Sequence, residues 1–279
     1  MTCCVTNFAA FAKPSGDFHV PHFAANLTML WPDLPVLERF RAAAEAGFRR
    51  VEILFVHDLD ADAVAKALTD HKLHLILFDP RPGDFAKGER GLLSLPGREA
   101  EFLASIVEAI AAAQRFGTPR INALCGIPPP GTPHSAAVDT AVHNLRAAAP
   151  LIEKAGLELL VEAINRVDMP GYFAGRADEA AALVEASGSA SVGLQLDQYH
   201  VAMAGEDARA ALKRHKQIVK HVQIADVPGR NQPGTGAQPI AAFLADLDAS
   251  SYRGQVGLEY RPRGSMEEAL EWLPRSARR

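Results

Sequence analysis

The sequence lacks the features of secreted and membrane-bound chains. Cysteine accounts for only three of its 279 residues, and this odd count excludes a disulfide framework in a chain of this length. No apolar run approaches the roughly 18 residues needed to span a bilayer. Residues 1–22 lack the charged segment and the following apolar segment of a signal peptide. We therefore expect no membrane partner and a cytoplasmic location, where thiols stay reduced.

An excess of positive charge is also lacking. The chain carries 29 Lys and Arg against 33 Asp and Glu, a formal net charge of -4. Domains that bind nucleic acid usually carry a basic patch and a high pI, so we expect no nucleic-acid partner. A hydrophobic content of 48% and a charged content of 22% are close to those of globular domains, which excludes a disordered chain.

Short apolar runs alternate with longer Ala-rich stretches from residue 23 onward. The apolar runs predict parallel strands that are covered on both faces. The longer stretches have apolar residues at helical spacing, and two of them stop at Gly47 and Gly117, as helices often do. The predicted strands are Phe23–Leu27, Arg50–Leu54, Leu73–Phe78, Arg120–Leu124, Leu157–Glu162, Ser191–Leu196, Lys220–Ile224 and Gln255–Glu259. The predicted helices are Leu34–Ala46, Ala61–Thr69, Arg98–Phe116, Ala136–Ala155, Ala177–Ala186, Asp207–Val219, Ile240–Ala249 and Met266–Trp272.

Strict alternation of eight strands and eight helices predicts an α/β protein with a single (β/α)8 TIM barrel. An open nucleotide-binding sheet is not favoured, because no G-x-G-x-x-G follows the first strand and no Walker loop occurs. We expect one barrel domain over residues 23–279, preceded by an N-terminal extension over residues 1–22. Long loops over residues 79–96 and 126–135 would lie on the face where such barrels build their active sites.

Each of the last four predicted strands ends on or near a residue with a side-chain oxygen. In a barrel these ends converge on one mouth. Three carboxylates and an amide suit Mg²⁺ or Mn²⁺ better than Zn²⁺, which favours His and Cys. Capping of a helix is the alternative role for any single one of them, but their recurrence on four successive strands favours a metal site. The candidate ligands are Glu162, Asp197, Gln223 and Glu259.

Further polar residues follow these strands and are candidates for substrate contact. His200 lies three residues after Asp197, and Asp168 lies in the loop after Glu162. A structural role for either residue remains open. A substrate carboxylate would need a cation, for which the candidates are Arg90, Arg230 and Arg261.

Several longer segments resemble those of a known enzyme family. The chain resembles hydroxypyruvate isomerase and 2-oxo-tetronate isomerase, which belong to the xylose-isomerase-like barrel superfamily together with tagatose and psicose 3-epimerases. The resemblance covers nearly the whole chain from Phe23. It rests on the segments Phe23–Leu27, Pro82–Asp84, Gly88–Gly91, Leu95–Glu99, Asp197–His200, His221–Arg230 and Glu259–Pro262.

The resemblance implies roles for most of these candidates. Glu162, Asp197, Gln223 and Glu259 match the metal-ligand positions, and Glu162 and Glu259 also match the catalytic glutamate pair. Asp168, His200 and Arg230 fall near substrate-contacting positions. The implied activity interconverts a small 2-keto acid and its hydroxy-aldehyde by metal-assisted proton transfer through an enediolate. The implied partners are Mg²⁺ or Mn²⁺ and a small anionic keto acid or sugar acid, and a homo-oligomer is left open.

Departures from the family pattern leave the substrate open. Ala163 stands where proline is common, Asp79 where asparagine is usual, Arg81 where proline is frequent, and Ala237 where glutamate is usual. The alternatives on the same barrel are a ketose or inosose 3-epimerase or dehydratase, and a binding protein without catalysis. Gln223 stands where the 3-epimerases carry histidine, which favours the isomerase. A zinc-dependent endonuclease is not favoured, because it would need more His ligands and a basic face.

Overall fold

Eight parallel strands form the centre of the molecule, which the computed structural model describes over residues 22–250 and 252–278. Each strand lies within two residues of its predicted bounds, so the α/β barrel prediction is confirmed. The strands are β1 (His22–Asn26), β2 (Arg50–Glu52), β3 (His74–Leu77), β4 (Arg120–Asn122), β5 (Glu158–Glu162), β6 (Val192–Asp197), β7 (Val219–Ile224) and β8 (Gln255–Leu258).

The strands are hydrogen-bonded in the order β3-β2-β1-β8-β7-β6-β5-β4. Pairing of β1 with β8, from His22 opposite Gln255 to Ala25 opposite Leu258, joins the first strand to the last. The barrel closes between β3 and β4 through a single bridge, in which the Asn122 amide donates to the Phe78 carbonyl oxygen at 3.0 Å. We call this junction the β3–β4 seam.

Helices cover the outside of the barrel and bury their apolar faces against the strands. Eight of these helices correspond to predicted helices. Cys125, in the loop after β4, is buried. Among the described residues no helix is both long and apolar enough to cross a bilayer. The helices are α1 (Val36–Glu45), α2 (Ala61–His71), α3 (Glu99–Phe116), α4 (His134–Ala155), α5 (Ala177–Ser187), α6 (Gln198–Met203), α7 (Ala208–His215), α8 (Ile240–Ala249) and α9 (Met266–Leu270).

The short helix α6 was not predicted. It has six residues and begins directly after β6, so it is too short to show a helical period in the sequence. Asp197 caps it, because its Oδ1 accepts the Tyr199 amide at 2.8 Å. The predicted helix over 207–219 is shorter than expected and ends at His215, because β7 already begins at Val219. The predicted extension, residues 1–22, lies outside the described residues except for His22 and stays a prediction.

Candidate active site at the mouth of the barrel

A cavity of about 140 Å³ lies at the carboxyl ends of the strands. Every strand supplies it with a buried polar side chain, either its own or that of the residue one or two places beyond its end. Between them, the apolar side chains of Ile53, Leu77 and Ile164 complete the wall. In strand order the polar residues are Asn26, Glu52, Asp79, Asn122, Glu162, Gln195, Gln223 and Glu259.

Buried acidic side chains gather around the guanidinium group of Arg230, which lines this cavity. Arg230 lies 3.0 Å from Glu259 Oε1 and 3.4 Å from Asp197 Oδ2. A carboxylate oxygen of Glu162, one of Asp197 and a ring nitrogen of His200 lie within 4.8 Å of one another. We call Glu162, Asp197 and Glu259 the acid cluster. The geometry thus brings three of the four predicted metal ligands together.

Burial and mutual repulsion hold these acids toward the protonated form. The pKa of Glu259 is raised to about 8 by burial, against the lowering effect of Arg230. Burial also raises the pKa of Asp197 to about 6, again opposed by Arg230. The pKa of Glu162 is raised well above its ordinary range by burial and by the charges of Glu259 and Asp197. The guanidinium of Arg230 therefore compensates only part of the negative charge, and a further cation would stabilise the ionised cluster.

The donor chemistry of the cavity fits a divalent cation with a preference for oxygen. The acid cluster offers carboxylate oxygens, and two buried amide oxygens, Asn122 Oδ1 and Gln195 Oε1, have no hydrogen-bond partner among the described residues. Hard cations such as Mg²⁺ and Mn²⁺ bind oxygen ligands of this kind. Asp197 retains Oδ2 for this purpose, since its capping role uses Oδ1.

Gln223 lies on the cavity wall, and its amide is held at both ends. Its Nε2 donates to Glu52 Oε1 at 2.8 Å, and its Oε1 accepts from Gln195 Nε2 at 2.6 Å. An amide oxygen has two lone pairs, so Gln223 Oε1 can accept one hydrogen bond and still serve as a ligand.

The hydrogen bonds of Asn165 assign the tautomer of His200. Asn165 Oδ1 accepts the amides of Val167 and Asp168, so its Nδ2 is the group that lies 2.7 Å from His200 Nδ1. His200 Nδ1 is therefore an acceptor, and the ring proton lies on Nε2. The pKa of His200 is well below its ordinary value because of burial and the charge of Arg230. His200 is thus a neutral ring whose Nε2 lies 3.3 Å from Arg230 Nη2 and 3.6 Å from Asp197 Oδ2, and a substrate oxygen that enters there can accept its proton.

The remaining predicted substrate contacts lie at different depths. Asp168 is exposed at the rim, where its Oδ2 accepts from Tyr199 Oη at 2.7 Å. Arg90 lines the cavity and stacks 3.9 Å above the Phe85 ring. Arg261 is exposed and is not among the residues that line the cavity. Its backbone amide instead donates to the Arg230 carbonyl oxygen at 2.7 Å.

The loop after β7 is organised by Asp226. This buried carboxylate accepts four backbone amides over a span of twelve residues, at distances of 2.8 to 3.1 Å. The same loop carries Arg230, which adopts the left-handed conformation with φ at 53°. Since few side chains adopt this conformation without strain, the surrounding loop must hold it. Asp226 therefore supports the guanidinium that faces the acid cluster. The donors are the amides of Val227, Gly234, Gly236 and Gln238.

Sequence reasoning missed the polar residues of the first half of the barrel. Asn26, Glu52 and Asn122 each end a strand, as Glu162 does, and Asp79 follows β3 closely. Because β2 and β4 have three residues each, their apolar runs are too short to mark where they end. The sequence signal that could have identified these cavity residues is a single polar residue within an otherwise apolar run.

The raised pKa of Glu259 predicts how stability depends on pH. In the unfolded chain a glutamate ionises near pH 4.5, whereas folded Glu259 keeps its proton until about pH 8. Between these values the folded state binds more protons, so the metal-free protein loses stability as pH rises from 6.5 to 8.5. A difference of one bound proton between the folded and the unfolded state changes the free energy of unfolding by about 1.4 kcal/mol per pH unit.

A divalent cation should reduce this loss because it binds the ionised cluster. We expect thermal unfolding scans at pH 6.5, 7.5 and 8.5 to show a falling Tm in EDTA and a smaller fall in Mg²⁺. The lowered pKa of His200 changes the free energy of unfolding only below about pH 6.5, so it does not contribute between pH 6.5 and 8.5. Identical slopes with and without the cation would contradict the expectation.

Comparison with known proteins identifies the family of this chain. Residues 40–276 match the model of the xylose isomerase-like TIM barrel family. The chain is 39% identical to 2-oxo-tetronate isomerase of Cupriavidus necator, over 91% of this chain and 98% of the relative. It is 36% identical to hydroxypyruvate isomerase of Escherichia coli, over 90% of this chain and 97% of the relative. Among solved structures, it is similar to one described as AP endonuclease, family 2, from Brucella melitensis, with a TM-score of 0.88 and 40% identity over 90% of this chain and 97% of that one.

Proposed function

Since this chain belongs to the xylose isomerase-like TIM barrel family, we propose that it interconverts a small 2-keto acid and its 2-hydroxy-aldehyde isomer. The chain is an isomerase of the hydroxypyruvate isomerase type, as its relatives over about nine-tenths of the chain indicate. The observation that carries the proposal is the pair of buried glutamates, Glu162 and Glu259, in one small cavity with two groups that can donate hydrogen bonds, His200 and Arg230.

The reaction moves one proton between adjacent carbons and a second proton between the oxygens that these carbons carry. A base removes the proton from the hydroxyl-bearing carbon beside the carbonyl, which gives an enediolate, and a proton returns to the former carbonyl carbon. The hydroxyl proton moves in the same sense, from the oxygen of the carbon that loses its proton to the former carbonyl oxygen. We assign these two transfers to Glu162 and Glu259, which line the cavity together with His200 and Arg230.

The other cavity residues orient the substrate and stabilise developing charge. His200 donates from Nε2 to a substrate oxygen, and Arg230 supplies positive charge beside Glu259. Glu162, Asp197, Gln223 and Glu259 would hold Mg²⁺ or Mn²⁺, which when bound supplies positive charge next to the two vicinal oxygens. Ile53, Leu77 and Ile164 provide apolar surface of the wall beside the substrate.

Arg90 is our candidate for the substrate carboxylate. Among the described residues its guanidinium is held by the carbonyl oxygens of Phe85 and Glu89 and by the Phe85 ring, whereas Arg230 already faces acidic groups. Its charge is therefore available at the mouth of the cavity.

We expect Arg90→Gln to raise KM by about 10- to 100-fold and to change kcat much less. The expected rise corresponds to the loss of one hydrogen bond between charged groups, which contributes about 1.5–3 kcal/mol. Steady-state kinetics on a keto acid and on a ketose without a carboxylate would measure the effect. Arg98→Gln is a matched control, because Arg98 pairs with Glu89 and Glu101 outside the cavity. An equal loss for both substrates would argue against carboxylate recognition by Arg90.

The proposal is tested by proton NMR in D₂O with hydroxypyruvate, 2-oxo-tetronates and free ketoses. We expect isomerisation of a keto acid with deuterium incorporation at the carbon that receives the proton, and loss of activity after exhaustive chelation. Epimerisation of a free ketose without isomerisation of any keto acid would favour the 3-epimerase alternative. Transfer of hydrogen without solvent exchange would favour a hydride shift.

Endonuclease chemistry is less well supported by the same observations. Among the described residues, the group that can hold a metal contains a single histidine, His200, beside two carboxylates. The cavity is small and lined with acids, and such a site repels a phosphodiester backbone. Incubation with an abasic duplex is the corresponding assay, and we expect no cleavage.

The cytoplasmic location, the homo-oligomer and the identity of the metal stay predictions.

A further inference from the structure

We propose that Glu52 is a positioning residue that fixes the side-chain amide of Gln223 with its oxygen toward the cation site. This inference rests on the proposed function, because it assigns Gln223 as a ligand. Glu52 ends β2, in the first half of the barrel, and is 1% exposed. None of the motifs in the sequence pointed to it.

Three nitrogen atoms converge on the Glu52 carboxyl group. Asn26 Nδ2 and Gln223 Nε2 both donate to Oε1, at 2.9 and 2.8 Å, and His221 Nε2 lies 2.8 Å from Oε2. These donors come from β1 and β7, so the carboxyl group joins three strands at the floor of the cavity. Because two side-chain amides donate to Oε1, this oxygen of Glu52 acts as an acceptor.

This arrangement determines which end of the Gln223 amide points away from Glu52. An acceptor at Glu52 binds the NH₂ end, so the oxygen end must face the remaining space, where Gln195 Nε2 donates to it at 2.6 Å. The second lone pair of Gln223 Oε1 is then available to a cation. If Glu52 were replaced by a group that can also donate, the amide could reverse and present its NH₂ end, which cannot ligate a cation.

The neighbouring strand leaves room for this carboxyl group. Gly257 of β8 is the register partner of Gln223. A Cβ at Gly257 would lie 2.3 Å from Glu52 Oε1 and 2.4 Å from Oε2, closer than atoms can approach. The side chain of Glu52 therefore occupies the space that a side chain at position 257 would need. A methyl group there should displace Glu52 without removing any polar group.

The experiment measures Mn²⁺ affinity by isothermal titration calorimetry, independently of turnover. We expect Glu52→Gln to raise the Kd for Mn²⁺ by about 10- to 100-fold, the usual effect of removing a group that orients a ligand. Gln223→Ala should raise it by at least as much. In the double variant Glu52→Gln/Gln223→Ala, the Glu52 change should add nothing, because its effect passes through Gln223.

Gly257→Ala provides a second route to the same result if Glu52→Gln fails to fold. We expect weaker Mn²⁺ binding in this variant and unchanged binding in Gly193→Ala, its matched control on β6. A Cβ at Gly193 meets the side chain of Lys220, whose flexible end can move away. Both variants add one methyl group to a barrel strand, but only the first one touches Glu52.

Three outcomes would overturn the inference: unchanged Mn²⁺ affinity in a folded Glu52→Gln variant, additive losses in the double variant, or unchanged affinity in Gln223→Ala. The last would also remove Gln223 from the ligand set. If the Mn²⁺ affinities of the single and double variants are as expected but no keto acid is isomerised, the inference on Glu52 stands and the proposed function fails.

Discussion

Glu162→Gln and Glu259→Gln are each expected to lower kcat by about 10²–10⁴-fold, the range typical of general acid–base groups. Glutamine preserves the shape of each side chain but can neither accept nor return the proton. The changes remove a buried acid whose pKa is raised, so neither should prevent folding. Stopped assays by proton NMR on the keto acid that proves to be the substrate would measure kcat.

The two variants can be told apart by deuterium exchange. The variant that lacks the carbon base should show no exchange of the substrate C–H with D₂O. The variant that lacks the hydroxyl shuttle should still exchange slowly, because the first proton can leave. Glu158→Gln is the matched control on the same strand as Glu162, since Glu158 pairs with Arg120 and Lys220 away from the cavity. Full activity in either active-site variant would exclude the assigned role.

The second large effect is expected from Asp226→Ala. Its carboxylate accepts four backbone amides, and hydrogen bonds to charged groups contribute about 1.5–3 kcal/mol each, with each amide left without a partner costing further stability. Since the loop can relax toward solvent, we expect the free energy of unfolding to fall by on the order of 3 kcal/mol. Urea denaturation of the metal-free protein would measure it.

The same substitution should lower activity, because the loop holds Arg230 beside Glu259. We expect kcat/KM to fall by about 10²-fold, which corresponds to about 2.7 kcal/mol of transition-state stabilisation. Thr235→Ala is the control within the loop: its hydroxyl donates to the Gln232 carbonyl oxygen and does not touch Asp226. If Asp226→Ala lost stability but kept full activity, Arg230 would have to be held by other contacts.

The barrel itself was predictable because its signal is repeated eight times. Parallel strands covered by helices need apolar runs, and the chain has one in each repeat, such as residues 157–161. The exact ends were less predictable, because hydrogen bonds between strands decide them. Leu54 was predicted within β2, but the strand ends at Glu52, and the Leu54 amide donates to the Thr28 hydroxyl instead.

The candidate site was predictable on one half of the barrel only. Glu162, Asp197 and Glu259 follow apolar runs long enough to mark their ends. Glu52 and Asn122 follow three-residue strands, so their positions in the cavity emerge only when the strands are assembled. Arg261 was predicted as a candidate for substrate contact and lies close to Glu259 in the sequence. Its side chain does not line the cavity, so closeness in sequence was not sufficient to predict its position.

The β3–β4 seam has a consequence for how the molecule opens. Local unfolding starts where few hydrogen bonds must break, and one bridge at Phe78 closes the barrel there. Asn122, whose amide makes that bridge, also donates from its side chain to Glu162 Oε2 at 2.9 Å. Transient separation at the seam would therefore expose the backbone amide of Asn122, whose side chain contacts the proposed catalytic residue Glu162, before the other strands part. Among the strand amides, that of Asn122 should be one of the first to exchange with solvent, and substrate should protect it.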